Sequence, residues 1–444
     1  MGNKAVKFGG SSLADANQFR KVYDIIKSDP KRKYVVPSAP GKRFSDDIKI
    51  TDMLYKCCES AGSGLDFSED FQKIKNRYNG IIADLGIDMS LDDEFDTIVK
   101  ELKLRPAKDY AGSRGEYLNG KILAKYLDYN FVDASDVIIF DTKGTLLLDE
   151  TVKAVRKKLK NLENAVIPGF YGRTTEGIIK TFSRGGSDVT GAIIANAINA
   201  EIYENWTDVS GFLVADPRIV DNPDVIETIT YRELRELAYM GASVLHEDAI
   251  FPVRSAGIPI NIRNTNRPED AGTMIVSNDY DFSRESLGHT ITGIAGKKGF
   301  STINIEKAMM NNEIGFGMKV LNILYNNGIS FEHMPSGIDT MSITVDSSKL
   351  APVRDKVLAE IRKEVNPDHI DIEDGIAILA VVGRRMKNTR GTVARVFAAM
   401  AHARINVKLI DQGSSELNVI IGVSENDLAE AIRRIYDMFI NSES

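Results

Sequence analysis

Two short glycine-rich segments of the chain carry charged residues at positions suited to binding an anion. KFGGSS begins at Lys7 and follows a short apolar stretch that is typical of a strand. FSRGGSDVTG begins at Phe182 and places Arg184 and Asp188 on either side of a second glycine pair. Paired glycines let backbone N–H groups approach an anion, and a nearby Lys or Arg adds positive charge. Taken alone, each segment is also explained as a tight turn that binds no ligand.

The second segment contains more than a helix start requires. Ser187 is predicted to be the N-cap of a helix that runs through Ala197, with Asp188 in its first turn. A capped helix does not account for Arg184, whose planar guanidinium suits bidentate contact with a carboxylate or a phosphate. Open α/β sheets bind ligands at the carboxyl ends of their strands, so both glycine turns are expected to face one crevice. The GxxxxGK[ST] and GxGxxG phosphate-binding patterns are absent from the sequence.

Three further segments carry polar groups that suit a nucleotide or a charged substrate. WTDVSG contains Thr207 and Asp208, which are candidates for holding a ribose or a purine. DPR contains Asp216 and Arg218, and the arginine is a candidate phosphate ligand. Both segments are equally explained as simple turns. RGE, which ends at Glu116, is either the start of a helix or a charged element of the site.

These segments lie at the ends of predicted strands that alternate with helices. Strands are predicted over 5–8, 34–36, 136–140, 165–167, 178–182, 201–206 and 259–262, and helices over 152–160 and 188–199. This alternation predicts an α/β domain around a largely parallel sheet. A polar break over 278–284 sets the end of this domain near residue 285.

The rest of the chain contains an internal repeat. Residues 315–345 align without a gap with residues 391–421 at a shift of 76, and apolar residues and turn glycines coincide at most positions. In each copy the apolar spacing is helical first and alternating afterwards, which predicts a helix followed by a hairpin. Two such α+β copies behind an α/β domain suggest regulation by analogy, with chance similarity as the alternative.

The composition argues against several classes of protein. A length of 444 residues predicts two or three domains, and a net charge of −7 argues against nucleic acid as a partner. The five histidines lack metal-ligand spacing, and Cys57 and Cys58 are adjacent, so no structural metal and a reducing compartment are predicted. Because no 18 consecutive residues are apolar, we expect no membrane partner and a cytoplasmic location.

In their order along the chain, these segments resemble the aspartate kinases of the amino-acid kinase family. KFGGSS is similar to the family's KFGGTS, PGFYGRTTEGIIKTFSRGGSD to PGFxG…TLGRGGSD, and WTDVSGFLVADPR to TDVxGxxxxDPR. GASVLHEDAIFPVRSAGIPINIRNT is similar to GAKVLHxxAxxPxxxxxIPIxVxNT, and GTVARVFAAMAHARINVKLIDQGSSELNV to the second of two amino-acid-sensing ACT domains. The resemblance implies a three-layer α/β kinase sandwich over 1–285, then ferredoxin-like α+β ACT domains over 306–374 and 375–444, the latter completed by 289–305.

The resemblance also implies an activity, which is the phosphorylation of the β-carboxylate of L-aspartate by ATP with Mg²⁺. In this reaction Lys7 would stabilise the transferred phosphoryl group and Asp188 would orient Lys7. Arg184 would bind the α-carboxylate of aspartate and Glu116 its ammonium. The other residues that the resemblance assigns are Ser38, Thr51 and Phe170 for aspartate, and Gly9, Gly10, Ser11, Thr207, Asp208, Leu213, Asp216, Arg218 and Ser243 for ATP. Aspartate's carboxylate is already ionised, so positioning and charge neutralisation are sufficient without a general base.

Three positions depart from the family pattern near the expected nucleotide. Ser243 replaces a lysine, Ser210 a common aspartate and Leu213 an aromatic residue. Two other functions stay open beside aspartate phosphorylation. One is a kinase for another amino acid such as glutamate, which is longer by one methylene, and the other is a degenerate kinase that only senses amino acids.

In the repeat, the resemblance places a lysine or threonine effector between the ACT domains of two subunits. Glu332, beside Ser330 and Phe331, is the candidate for binding the effector's ammonium, whereas the residue at a shift of 76 is Lys408. This asymmetry predicts one effector-binding copy, and the alternative is a solvated Glu332. The further candidate wall residues are Met310, Phe316 and Ser336. We therefore expect feedback inhibition by lysine, alone or with threonine, and a homodimer or dimer of dimers formed through the ACT domains.

Overall fold

The computed structural model describes residues 2–183, 185–241, 247–284 and 289–441. The strands in these ranges, numbered β1 to β17 in chain order, are Lys4–Phe8, Arg32–Pro37, Asn130–Phe131, Ile139–Phe140, Ala165–Val166, Tyr171–Thr174, Ile179–Thr181, Ile202–Thr207, Thr228–Thr230, Ile260–Asn264, Thr273–Val276, Gly293–Glu306, Phe331–His333, Thr340–Asp346, His369–Val382, Leu409–Asp411 and Asn418–Ser424. The helices, α1 to α14, are Ala16–Lys27, Ile50–Gly62, Ser68–Leu85, Asp92–Leu104, Lys108–Leu127, Leu148–Leu159, Gly186–Ala197, Tyr231–Tyr239, Glu247–Ser255, Phe316–Asn326, Ser347–Leu350, Arg354–Val365, Thr392–His402 and Leu428–Tyr436. None of these helices is long and apolar enough to cross a membrane.

The largest sheet in the described part of the chain has eight strands in the order β3-β5-β2-β1-β8-β10-β11-β9. Strand β1 lies inside it and pairs in parallel with β2 and β8, and β8 pairs in parallel with β10. Ala5, Val6 and Phe8 have no exposed surface, as expected for a parallel strand covered on both faces. The predicted α/β fold around a largely parallel sheet is confirmed.

The central parallel strands end nearly level with one another. Phe8, the last residue of β1, pairs with Pro37 at the end of β2 and with Trp206 near the end of β8. Thr207, the last residue of β8, pairs with Asn264 at the end of β10. The KFGG turn and the loops after β2 and β8 therefore leave the sheet at one edge, which is where α/β proteins bind ligands.

A smaller sheet of three strands contains β4, β6 and β7, of which β6 and β7 are antiparallel. The prediction that residues 178–182 continue the alternating parallel pattern is therefore wrong. The residues of β7 are only half-buried, as suits a surface hairpin and not a central strand. The strand predicted over 136–140 shortens to Ile139–Phe140, because Ala134–Asp136 form a 3₁₀ turn.

The third sheet has six strands in the order β13-β14-β12-β15-β17-β16. The end of the long strand β12 pairs with β14, and its first residues, 293–297, pair with 378–382 of β15. Helices α10 and α13, at a shift of 76, each follow a glycine with a φ of 82°, Gly315 and Gly391. The strands that follow are shifted by 78, so the predicted gapless repeat is wrong by two residues after the helix.

The chain divides into two compact units. The first unit is Met1–Phe212, Val225–Tyr231 and Val244–Tyr280, and the second is Leu213–Asp224, Arg232–Ser243 and Asp281–Ser444. The second unit therefore combines the six-stranded sheet with two segments that precede residue 285. The limits of the kinase and ACT domains given above stay predictions.

Candidate functional site

A group of polar side chains lies where β1, β8 and α7 meet in the first unit. Lys7 Nζ is 2.6 Å from Asp188 Oδ1 and 3.3 Å from Asn205 Oδ1. Asn205 Nδ2 donates to the same Asp188 oxygen at 2.9 Å. Only 9% of the Lys7 side chain is exposed, so its ammonium is held in place by two oxygens. The structure thus brings together two residues that the sequence assigned to one step, Lys7 and Asp188.

Asn205 is a part of this group that sequence reasoning missed. It is a buried residue of β8, and it is paired in register with Lys7 on β1. Buried asparagine side chains need hydrogen-bond partners, so the available signal was a polar pair, Glu204 and Asn205, inside a strand predicted to be buried.

The KFGG turn packs through its backbone on the end of β8 and on the loop that follows β2. Gly9 N–H donates to Trp206 O at 2.9 Å, and Gly41 N–H donates to Gly10 O at 2.8 Å. A Cβ atom on Gly41 would lie 2.6 Å from the carbonyl carbon of Gly10, so no side chain fits there. Ser11 opens the 3₁₀ turn that continues from Gly10.

The second glycine turn starts α7 differently from the prediction. Gly185, with a φ of 56°, is the N-cap and the helix begins at Gly186, so the prediction of Ser187 as N-cap is wrong. A left-handed glycine lets the chain turn directly into the helix, and Ser187 is then buried against Gly169. Asp188 lies in the first helical turn as predicted. Arg184 lies outside the described residues.

Glu116 lies in the middle of α5, so its reading as a helix start is wrong. It is 6% exposed, and its Oε2 atom has no hydrogen-bond partner in the described structure. Burial raises the pKa of the Glu116 carboxyl to about 8, against the opposing effects of the Ala39 N–H and the nearby charge of Arg114. A buried carboxyl group with one free oxygen is suited to receive an ammonium group.

Arg114 has a different place from its neighbour Glu116. Its guanidinium carbon lies 4.8, 4.5 and 5.3 Å from the ring centres of Tyr110, Tyr117 and Tyr171. These cation–π contacts explain the arginine of the RGE segment as a packing residue.

The three residues predicted to shape the aspartate pocket, Ser38, Thr51 and Phe170, differ in backbone conformation and in hydrogen bonding. Ser38 donates its N–H to Phe8 O at 3.0 Å and its carbonyl accepts from Asn119 Nδ2 at 2.6 Å, so it is fixed at the strand ends. Thr51 is half-buried in the first turn of α2. Phe170 has a φ of 78°, which is rare for a large side chain and is often found at functional sites.

Phe170 is held against the second glycine turn. Its N–H donates to Thr190 Oγ1 at 3.2 Å, and its carbonyl accepts from Phe182 N–H at 2.9 Å. A Cβ on Gly186 would lie 2.6 Å from the Phe170 ring. The unusual backbone of Phe170 is therefore fixed by both neighbouring segments.

A cavity of about 360 Å³ in the first unit adjoins these residues. Its volume is within the range of small-molecule sites, and Phe170 forms part of its wall. The lining residues are Tyr55, Lys108, Asp109, Phe140, Gly144, Leu146, Phe170, Lys180, Thr181, Phe182 and Ser183.

The predicted nucleotide residues are divided between the two units. In the first unit, Thr207 Oγ1 donates to Asp208 Oδ1 at 3.1 Å, at the end of β8. Leu213, Asp216 and Arg218 belong to the second unit. There Arg218 is 88% exposed and its Nη2 lies 2.6 Å from Asp216 Oδ2. Ser243 lies outside the described residues.

Glu332 has a hydrogen-bond partner in the second unit, because it accepts from the hydroxyl of Tyr239. Of the other predicted effector residues, Met310 and Phe316 are buried in the core, and Ser330, Phe331 and Ser336 are exposed. The shift of 78 makes Ile410, and not Lys408, the residue equivalent to Glu332. The two copies therefore still differ at this position, with an apolar residue in the second copy.

The parallel sheet, the KFGG turn at its edge and the fixed lysine suit an α/β protein that binds an anion such as a phosphate, and the chain carries a second unit with a six-stranded α+β sheet. The family model described as "Amino acid kinase family" matches residues 4–264, and an "ACT domain" model matches residues 379–439. Aspartokinase 3 of Bacillus subtilis (strain 168) is 38% identical over 455 residues, which cover 98% of both chains.

Solved structures agree with these matches. The aspartate kinase of Clostridium acetobutylicum is 51% identical, with a TM-score of 0.91 over 99% of this chain and 100% of that one. E. coli aspartokinase III, at 23% identity, has the same fold, with a TM-score of 0.71 over 98% and 99% of the two chains. The chain belongs to the amino acid kinase family and, within it, to the aspartate kinases that carry ACT domains.

Proposed function

We propose that the chain transfers the γ-phosphoryl group of ATP to the β-carboxylate of L-aspartate, giving ADP and 4-phospho-L-aspartate. The observation that carries this proposal is the juxtaposition of a fixed cation and a buried acid. Lys7 lies near the end of β1, directly before the glycine turn. Gly10 of that turn packs against Ala39, and the backbone N–H of Ala39 is hydrogen-bonded to the Glu116 carboxyl.

In the proposed reaction a β-carboxylate oxygen attacks the γ-phosphorus and the bond to the β,γ-bridging oxygen breaks, so no proton is transferred. Lys7 neutralises charge on the moving phosphoryl group, and Gly10 offers its backbone N–H, whereas the predicted N–H of Gly9 already donates to Trp206 O. Glu116 receives the substrate ammonium, and Arg184 the α-carboxylate. Ser38, Thr51 and Phe170 shape the pocket.

Mg²⁺ is proposed to arrive with ATP and to neutralise phosphate charge. Among the described residues, no group of three or more His, Cys, Asp or Glu side chains could hold a metal ion by itself. Mg²⁺ commonly uses one or two carboxylates together with substrate phosphates, and the half-buried Asp188 and the exposed Asp208 fit that pattern.

The direct test is ADP release from Mg·ATP and L-aspartate, with hydroxylamine to trap the acyl phosphate. Aspartate hydroxamate is the expected product, and L-glutamate is the control substrate. No hydroxamate from aspartate would refute the proposal. Arg184→Ala is expected to raise the aspartate KM far more than the ATP KM, and equal effects would instead assign Arg184 to the nucleotide.

We further propose feedback inhibition by lysine, alone or with threonine, since the product would feed lysine, threonine and methionine synthesis. Support comes from the position of Glu332 in only one ACT copy, and from the 51% identical Clostridium acetobutylicum protein, which is an allosteric enzyme. A homodimer or dimer of dimers through the ACT domains completes this proposal. The free, buried Cys57 and Cys58 support a reducing, cytoplasmic location.

A further inference from the structure

Both carboxylate oxygens of Asp109 are used by consecutive residues of β7. Lys180 Nζ donates to Asp109 Oδ2 at 2.8 Å, and Thr181 Oγ1 donates to Oδ1. The side chains of Asp109 and Lys180 are 32% and 37% exposed, so solvent screens their attraction. Such a pair adds little to overall stability, but two directed bonds fix a geometry.

Asp109 connects α5, which carries Glu116, with β7, which leads to the second glycine turn. These two elements are proposed to bind the α-amino and the α-carboxylate group of the substrate. Asp109 lies in the first turn of α5, and Glu116 lies seven residues further along the same helix and therefore on nearly the same face. On the other side, β7 ends at Thr181 and the chain continues to the Gly185 turn and α7.

The segment after β7 is in turn tied to the site. Phe182 N–H donates to Phe170 O at 2.9 Å, and Phe182 Cβ is among the atoms closest to the Gly186 position. Asp109, Lys180 and Thr181 line the 360 Å³ cavity together with Phe170. A change at Asp109 is therefore expected to shift the strand that leads into the second glycine turn.

We propose that Asp109 is a positioning residue for the amino-acid substrate. By holding β7 against the start of α5, it sets the spacing between Glu116 and the second glycine turn, and hence the spacing at which the α-amino and α-carboxylate groups are bound. Asp109 acts through these elements and does not itself bind the substrate. This inference rests on the proposed function.

The test is steady-state kinetics of Asp109→Ala in the full chain. The aspartate KM is expected to rise about tenfold, because small misplacements of binding groups are costly. The ATP KM and kcat are expected to stay within about twofold, and the melting temperature should be unchanged. Asp109→Asn keeps the oxygen that Thr181 bonds and loses the charge that Lys180 bonds, so its KM should fall between those of wild type and Asp109→Ala.

Asp136→Asn is the matched control. It removes an ion pair of similar length, 2.9 Å to Lys158, from a site where both side chains are 46% exposed, and its kinetics should match those of wild type. An unchanged aspartate KM in Asp109→Ala, or an equal rise in the ATP KM, would overturn the inference.

Amide hydrogen exchange separates this inference from the proposed function. If wild type forms no hydroxamate from aspartate, the proposed function fails. The positioning role is then tested without substrate. Asp109→Ala should speed amide hydrogen exchange across residues 179–190, and Asp136→Asn should not. Unchanged exchange in that segment would overturn the role of Asp109 in either case.

Discussion

Lys7 and Glu116, the cation and the acid of the proposed site, lie in different surroundings. Lys7 is neutralised by Asp188 and fixed by Asn205, whereas Glu116 keeps one oxygen without a partner among the described residues. Because burial raises the Glu116 pKa to about 8, this side chain is mostly protonated in the free protein at pH 7. Binding an ammonium group favours its charged form, so substrate binding is linked to proton release.

The aspartate KM is therefore expected to fall as the pH rises from about 6 to about 8. Over this range the ionised fraction of Glu116 increases, nearly tenfold per pH unit at the lower end. The measurement is the aspartate KM against pH, with Glu116→Gln as the control that should show a higher, pH-independent KM. A pH-independent KM in wild type would contradict the assignment.

Rising pH is expected to improve aspartate binding, but the same pKa shift makes the free protein less stable as the pH rises. Glu116 keeps its proton in the folded state up to a pH of about 8, but releases it near its ordinary value of 4.5 when unfolded. Its contribution to stability is thus fully present below about pH 4.5 and is lost as the pH rises through 8. Glu116→Gln should remove this loss in urea unfolding measured across that range.

Lys7→Met is expected to reduce kcat at least about 100-fold, since the charge that meets the moving phosphoryl group is lost. Asp188 keeps Asn205 as a hydrogen-bond partner, so the fold should persist, as checked by circular dichroism. Asn205→Ala should have a smaller effect because it leaves the charge in place. Near-normal turnover of Lys7→Met would remove Lys7 from the catalytic group.

At the scale of elements, the first glycine turn is held by the loop after β2, which it contacts through backbone atoms. Hydrophobic spacing predicted β1, β2 and β8, and their alternation with helices predicted a largely parallel sheet, because buried strands and helices leave a local periodic signal. It did not predict the separate β4-β6-β7 sheet or the pairing of Asn205 with Lys7, since both depend on which distant strands become neighbours. The two-residue insertion before β16 was also missed, because apolar alternation matches nearly as well when displaced by two.

Gly41→Ala is expected to destabilise the protein by about 1–3 kcal/mol and to lower activity, because the new methyl group would meet the Gly10 backbone at 2.6 Å. Gly80→Ala is the matched control. Gly80 is inside α3, and apart from the backbone of its own helix no atom of the described residues lies within 4 Å of the added Cβ, so alanine should stabilise by about 0.5–1 kcal/mol. Denaturant unfolding and kcat check both, and a neutral Gly41→Ala would show that the two loops can separate.

At the scale of the molecule, one face of helix α8 is attached to both halves of the six-stranded sheet. Glu233 is fully buried and accepts from the backbone N–H of Arg384 at 2.9 Å, and Glu236 Oε2 accepts from Asn418 Nδ2 at 2.6 Å. Tyr239 donates to Glu332 on β13. These residues are spaced by three along α8, so they lie side by side along one face of the helix. The predicted effector residue therefore already has a partner within its own unit.

Tyr239→Phe is expected to make the enzyme more sensitive to the proposed inhibitor, lysine. The effector's ammonium must compete with the Tyr239 hydroxyl for Glu332, and removing a hydrogen bond worth about 1 kcal/mol should lower the inhibitory concentration about three- to tenfold. Lysine inhibition curves measure this, with Tyr126→Phe in the first unit as the control. An unchanged midpoint would show that lysine does not use the Glu332 carboxylate.

The two compact units alternate along the chain, and this limits how the protein can be truncated. The chain passes from one unit to the other after residues 212, 224, 231, 243 and 280, so the units are interleaved and not joined end to end. A chain cut at residue 285 would retain segments 213–224 and 232–243 without the sheet with which they form a unit. A single cut in the chain thus does not separate the two units. Relief of the proposed inhibition is therefore better sought by substitutions than by removing the residues after 285.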